Sequence, residues 1–344
     1  MASTPQDIVA IEILKDASAA AIYGARGANG VVLITTRRGS GKKFTLDYSS
    51  SFSVQELDRE YDMLNAEEFA TVSNEISLFN DPDSDPIYSA AQINRAEEGT
   101  NWVDQITRLG TINQQQLAGS GGHKNFNYYI SGNYFQHKGI VDGSELERIS
   151  GRANLDYTKG KLTAGLNLTY SRINDQQVPF GANSNSPEFG GLFDNTRNWS
   201  PLVPVRDEDG NLSEHPTRPL IPNPVSLLDV RDQTKTNRLL ASAYMEYDLT
   251  KGLKAKINLG RDQSFSRREA VIPLTVVSVI EQNGEGEWIE SEAWSTLGEF
   301  TLTYNKELGN NSQLSILGGT TFQQFDNESN GSGILANFAD QTLN

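Results

Sequence analysis

The sequence predicts an all-β membrane protein, an antiparallel transmembrane β-barrel of which this chain supplies about nine strands. Three observations carry that expectation. From Lys43 onward apolar and polar residues alternate with a period of two, over stretches of about ten residues or more. The connections between those stretches alternate between short and long. Tyrosines stand at matching offsets before three of the short connections.

Composition narrows the classes. The chain has 344 residues, no cysteine and three histidines, His123, His137 and His215, without the spacing of a metal site or a catalytic triad. A thiolate metal centre, a disulfide framework and a cysteine nucleophile are excluded, and nothing calls for a cofactor or an enzymatic activity. The net charge of −15 and a pI near 4.7 oppose binding to a phosphate backbone, so nucleic acid is not an expected partner. Mean hydropathy is −0.49 and no run of about 18 apolar residues exists, so no transmembrane helix is expected. Met1 to Gln6 does not read as a signal peptide. A β-barrel gives such totals too, because only every second strand residue meets lipid.

The first forty residues differ from the rest. Asp7 to Asp16 reads as a short strand, Asp16 to Tyr23 as a short Ala-rich helix capped by Asp16 or Ser18, and Gly30 to Arg38 as a β-branched strand. Together they predict a small β-α-β-like unit. Gly24, Gly27 and Gly30 lack the spacing of a phosphate loop and read as turn glycines.

The alternation then begins. In the first strand Phe44, Leu46, Tyr48, Phe52 and Val54 oppose Lys43, Thr45, Asp47, Ser49, Ser51 and Ser53. A second, weaker strand fits Thr111 to Gly119. In the third, Phe126, Tyr128, Ile130 and Tyr134 oppose Asn125, Asn127, Ser131 and Asn133. The remaining six lie at 148–157, 161–171, 238–248, 253–262, 294–304 and 313–323 with the same split. Short connections follow the even-numbered strands: Ser120 to His123, Lys159-Gly160, Thr250 to Gly252 and Lys306 to Ser312. Long ones follow the odd-numbered strands: Gln55 to Gly110, His137 to Glu145, Asn174 to Thr236 and Ser266 to Glu290. Outer-membrane barrels have this asymmetry, with tight periplasmic turns and long extracellular loops. Tyr157, Tyr247 and Tyr304 sit one to three residues before a short turn on the apolar face, as an interfacial aromatic girdle requires.

The string DIVAIEILKDASAAAIYGARGANGVVLITTRRG, Asp7 to Gly39, resembles the C-terminal end of the plug of TonB-dependent transporters, and more narrowly the SusC/RagA-type family. NYYISGNYFQHKGIV (Asn127 to Val141) and NWSPLVPVRDEDGNL (Asn198 to Leu212) resemble stretches of that family's barrel and of one of its loops. The resemblance implies residues 1–41 as the C-terminal part of a plug domain and 42–344 as the N-terminal part of a plugged 22-stranded barrel. It implies import of oligosaccharides, or in some members peptides, across the outer membrane of a Gram-negative bacterium. The implied partners are outer-membrane lipid, a SusD-like surface lipoprotein that lids the barrel, and the TonB complex, acting through a segment this chain lacks. About nine strands cannot close a barrel around a plug, so the chain is expected to be a fragment of a larger transporter.

Within the long 174–236 connection, Phe180, Phe189, Phe193 and Trp199 cluster with Arg197. Aromatic faces suit sugar rings and Arg supplies planar donors, so these five are candidate ligand or lid contacts; packing of the loop is the alternative. Asp81, Asp83 and Asp85 resemble the start of a calcium loop, but Pro86 replaces its glycine and Gln92 its bidentate Glu, which favours a plain turn. Asp207 to Gly210 reads as a hairpin tip, and Ala66 to Ile76 as a solvated loop helix. Two other functions compete: a siderophore or cobalamin receptor on the same architecture, and a soluble β-rich carbohydrate-binding domain.

Overall fold

The computed structural model describes residues 4–15, 29–39, 41, 43–58, 63–94, 99–178, 191–276, 284–309 and 312–332. The expected helix at Asp16 to Tyr23, Gly24, Gly27, Phe180 and Phe189 lie outside these. Strands β1 (Ile8–Leu14) and β2 (Val31–Thr36) form a two-stranded sheet. Nine further strands form one antiparallel sheet in strict sequence order: β3 (Thr45–Gln55), β4 (Gly110–His123), β5 (Phe126–Lys138), β6 (Glu145–Lys159), β7 (Leu162–Gln177), β8 (Arg231–Thr250), β9 (Leu253–Ile272), β10 (Glu285–Gly309) and β11 (Ser312–Ser332). The expected number of long strands and the meander are both present.

Three boundaries differ from expectation. β1 and β2 pair antiparallel, with Leu14 opposite Val31, so the chain leaves and re-enters at the same end and the unit is not a parallel crossover. Residues Ser120 to His123 belong to β4, and the turn is Lys124-Asn125. Gly122 pairs with Asn127 within the strand, and a Cβ there would stand 2.6 Å from the carbonyl of Gly41, which is why the position is glycine. The connections 139–144 and 273–284 are shorter than expected, because strands β5, β6, β9 and β10 run beyond the apolar stretch. Short and long connections still alternate throughout. Gly160 and Gly252, at φ +60° and +87°, supply the left-handed residues that two of the tight turns need.

The sheet is inside out. Leu46, Tyr48, Phe52 and Val54 of β3 are exposed, as are Phe44 just before it and Ile130, Ile149, Leu259 and Phe322 farther along, while Gln116, Ser131, Asn133, Arg152, Asn154 and Ser171 on the opposite face are buried. Water would make such a face costly; a hydrocarbon solvent makes it favourable.

The register gives the strand tilt. Carried along the paired residues onto β7, the residues at which the outer face first gives way to a polar or charged side chain, Val54, Ile149, Leu239 and Leu259, fall level with Gln176, Arg172, Tyr170 and Leu166. Ten residues of descent over six strand-to-strand steps is about 33 Å along the strand for about 29 Å across the sheet. That is a tilt of roughly 45°. The tyrosines descend likewise: Tyr157 lies level with Met245, two residues above Tyr247, and Tyr247 lies level with Leu302, two residues above Tyr304. One residue per strand corresponds to roughly 35°. Both edges of the apolar belt are therefore level once the strands lean as barrel strands do. Above the belt the outer face turns charged: Arg261 lies over the Trp294 ring at 4.3 Å, and Arg267 pairs with Glu290 at 3.1 Å.

The long connections carry an ordinary apolar core. Helix α1 (Ala66–Asn80) starts with a capping box between Asn65 and Glu68; α2 (Ala90–Ile93) and α3 (Leu192–Asn198) are short. Ile106, Val141, Val178, Leu192, Leu227 and Val276 form one buried cluster, and Trp102, Trp199 and Ile221 a second. Asp81 to Ser84 forms a turn, and Asp207 to Gly210 is the tip of a small hairpin closed by Arg206 and Leu212.

Candidate functional site

The polar face of β4–β8 receives one end of the β1–β2 hairpin. Asp7 precedes β1 and is 4% exposed. Its backbone carbonyl accepts from Arg37 N at 2.8 Å, tying it to the end of β2. Its carboxylate turns into the sheet. Oδ1 accepts from Gln116 Nε2 on β4 at 2.8 Å and from Tyr129 OH on β5 at 2.7 Å; Ser131 Oγ lies 3.1 Å and 3.2 Å from the two oxygens. Arg152 Nε on β6 lies 3.4 Å from Oδ2. A buried carboxylate is stable only when its lone pairs are filled and its charge is balanced, and these four side chains do both.

Contacts continue outward from Asp7. Gln114 donates to Gln6 at 2.8 Å, and Asn154 Nδ2 donates to the Arg37 carbonyl at 2.6 Å. Arg38 pairs with Asp156 of β6, which also accepts from Tyr244 OH of β8 at 3.0 Å. The Tyr244 ring covers Gly165 of β7, where any Cβ would collide with it. Gly165→Ala is therefore expected to push Tyr244 away from Asp156 and cost about 1–3 kcal/mol. Hydrogen exchange at Arg37 and Arg38 in the full-length protein should speed up, and unchanged exchange would contradict the contact.

This seam joins residues more than a hundred positions apart and is polar throughout. Nothing in it is arranged for covalent chemistry. It can hold a small element against a wall strongly and, having no apolar core, let it shift without exposing one.

The sequence-selected residues fall elsewhere. Trp199 is 3% exposed, with its Nε1 bonded to the Pro222 carbonyl at 3.0 Å and its ring edge-on to Trp102 at 4.8 Å. Neither face is open for stacking on a ligand; the ring packs the loop. Arg197 is exposed on α3 and pairs with Asp194. Phe193 lies partly against the larger apolar cluster and lines a pocket of about 510 Å³ at the upper rim of the polar face, beside His137, Asp175 and Gln177. His137 and Gln55 bond across that pocket at 2.8 Å. Asp7 was not among the expected site residues. Its partners are scattered along the sequence, so no local signal marks it.

The chain is 35% identical over 327 residues to TonB-dependent receptor P3 of Formosa agariphila, covering 94% of this chain and 31% of that protein. It is 28% identical over 263 residues to TonB-dependent receptor SusC of Bacteroides thetaiotaomicron, covering 71% of this chain and 25% of that protein. Among solved structures, the RagAB peptide importer in its closed-closed state matches in fold with a TM-score of 0.79 at 20% identity, over 96% of this chain and 40% of that one. The chain thus spans about a third of the length of the curated relatives it matches. Those relatives are named as receptors, not enzymes. No family model matches the chain.

Proposed function

Starting from homology to the TonB-dependent receptors over nearly the whole chain, we propose that these residues form part of an outer-membrane importer of Gram-negative bacteria. Residues 1–41 serve as the end of its plug and 42–344 as the first part of its barrel wall. The observation that carries this reading is the docking of the β1–β2 hairpin on the inner face of an inside-out sheet through a buried carboxylate. The hairpin leaves Val9, Ile11, Ile13, Val32 and Ile34 exposed on one side, a surface suited to the remainder of a plug. Energy from the TonB complex would move the plug along its polar seam.

The cargo is an oligosaccharide, with a peptide as the alternative, and a SusD-like surface lipoprotein closes the mouth. Hydroxyl and amide groups of either cargo match the wall's Asn, Gln, Ser and Thr side chains. Phe193, with Arg197 nearby on α3, would meet cargo or lid at the rim pocket. Affinity purification of the full-length receptor in mild detergent, with mass spectrometry of what accompanies it, tests the lid. Uptake of labelled oligosaccharides and peptides by cells with and without the receptor tests the cargo. A surface lipoprotein in stoichiometric amount and receptor-dependent glycan uptake are expected. Receptor-dependent uptake of an iron chelate or a cobalamin, with no lipoprotein, would favour the siderophore-type reading instead.

A further inference from the structure

His215 packs on Trp199, a residue through which the 178–230 connection meets the 56–109 connection. Thr100 of the 56–109 connection donates from its backbone N to the Pro201 carbonyl at 2.8 Å and from its hydroxyl to the Val203 carbonyl at 2.8 Å. Trp102 Nε1 donates to the Ser200 carbonyl at 3.1 Å, and its ring meets Trp199. Trp199 in turn lies edge-on to the His215 ring at 5.3 Å. His215 is 6% exposed. Its Nε2 bonds the Asn198 carbonyl at 3.3 Å, which makes Nε2 the protonated nitrogen. Its Nδ1 faces two backbone donors, Thr217 N at 3.3 Å and Arg218 N at 3.1 Å, and so must be the bare acceptor.

We propose that His215 is an acid-sensitive positioning residue that, when neutral, holds the segment backing Trp199 and so the joint between the 56–109 and 178–230 connections, and loosens that joint when protonated. A proton on Nδ1 removes the acceptor of two backbone N–H groups at once and places a cation in a buried aromatic setting. The charged groups on the surrounding elements are Glu214 and Arg218 on its own segment, Asp194 and Arg197 paired on α3, and Asp104 bonded by Asn101 on the first connection. Of these, Arg218 is the charge that acts on the ring, and it opposes protonation. Burial pushes the imidazole below its ordinary value of 6.5, Arg218 adds to that, and the Asn198 carbonyl partly offsets it.

The sign follows. Above pH 6.5 the ring is neutral whether the joint is closed or open, and the joint has its full stability. As pH falls below 6.5 the open form takes up a proton first, so the opening constant rises by up to tenfold per pH unit until the closed form also titrates. Release does not depend on what cargo the receptor carries.

The test is hydrogen exchange on the full-length receptor in detergent, corrected for intrinsic rates, together with a ¹³C-histidine titration of the same sample. Protection of residues 99–104 and 198–226 should fall by up to tenfold per unit below pH 6.5 until the closed form also titrates, with the His215 ring titrating below the ordinary histidine value. His215→Gln keeps one donor and one acceptor, so it should leave protection independent of pH. Equal pH dependence in wild type and H215Q would overturn the proposal. If H215Q leaves the joint open at every pH, the wild-type titration decides. Loss of protection tracking the His215 ring supports this role, and loss at a pH unrelated to that ring overturns it.

Discussion

Asp7→Ala in the full-length receptor is expected to loosen the hairpin from the wall by about 3–5 kcal/mol, the cost of breaking a buried ion pair by removing one partner. Gln116, Tyr129 and Ser131 lose their shared acceptor, and Arg152 loses the carboxylate 3.4 Å from its Nε. By the usual tenfold per 1.4 kcal/mol, exchange of the β1–β2 amides should rise by two orders of magnitude or more. The strands of the wall should keep their protection, because their ladder bonds are untouched. Asp7→Asn keeps the shape but not the charge and is expected to fall between the two. If Asp7→Ala left exchange in the hairpin unchanged, the seam would not be what holds it.

The second large effect concerns the outer face. Leu166 lies mid-belt on β7, with Leu155 and Ala243 beside it on neighbouring strands. Leu166→Arg should cost about 2–4 kcal/mol, the penalty for a cation at the lipid midplane of a β-barrel. The adjacent Asn167 points to the other face, where its amide donates to Ser242 at 3.1 Å. Asn167→Arg should cost a small fraction of that, since its side chain meets a hydrated lumen. Folding yield into lipid vesicles, read by heat-modifiable mobility on gels, separates the two. Similar losses for both variants would deny the sheet its two-sided character.

What the sequence revealed and what it hid divide along physical lines. Alternation is a local property: Leu162, Ala164, Leu166 and Leu168 announce one face of β7 without reference to any other strand. Turn positions are nearly as local, and the tyrosines before them fix one belt edge. Strand ends were less legible. β9 continues from Asp262 to Ile272 after its outer face has become charged, because ladder hydrogen bonds and ion pairs such as Arg268 with Asp232 sustain a strand where no apolar pattern remains. The antiparallel pairing of β1 and β2 was hidden because their sequences give strand character but not direction.

The seam was least legible. In the sequence Asp7 is only the first residue of a strand, and only the folded register brings Gln116, Tyr129, Ser131 and Arg152 around it. Trp199 shows the converse. Aromatic clusters in a long connection suggest a ligand platform, yet a connection of that size needs its own core, and Trp102, Trp199 and Ile221 provide it.

The central claim is that the nine-stranded sheet is a membrane wall with a lipid face and a lumen face. These 344 residues contain no cysteine, so once any cysteine elsewhere in the full-length receptor is replaced by serine, single cysteines introduced here are the only thiols. Spin labels at 239, 241, 243, 245 and 247 of β8, and at 240, 242 and 246, would be compared in vesicles for collision with oxygen, which concentrates in lipid, and with a water-soluble nickel complex. The odd positions should favour oxygen and the even ones nickel, with a strict period of two. Uniform access of the nickel complex to both sets would contradict the wall and leave a water-exposed sheet in its place.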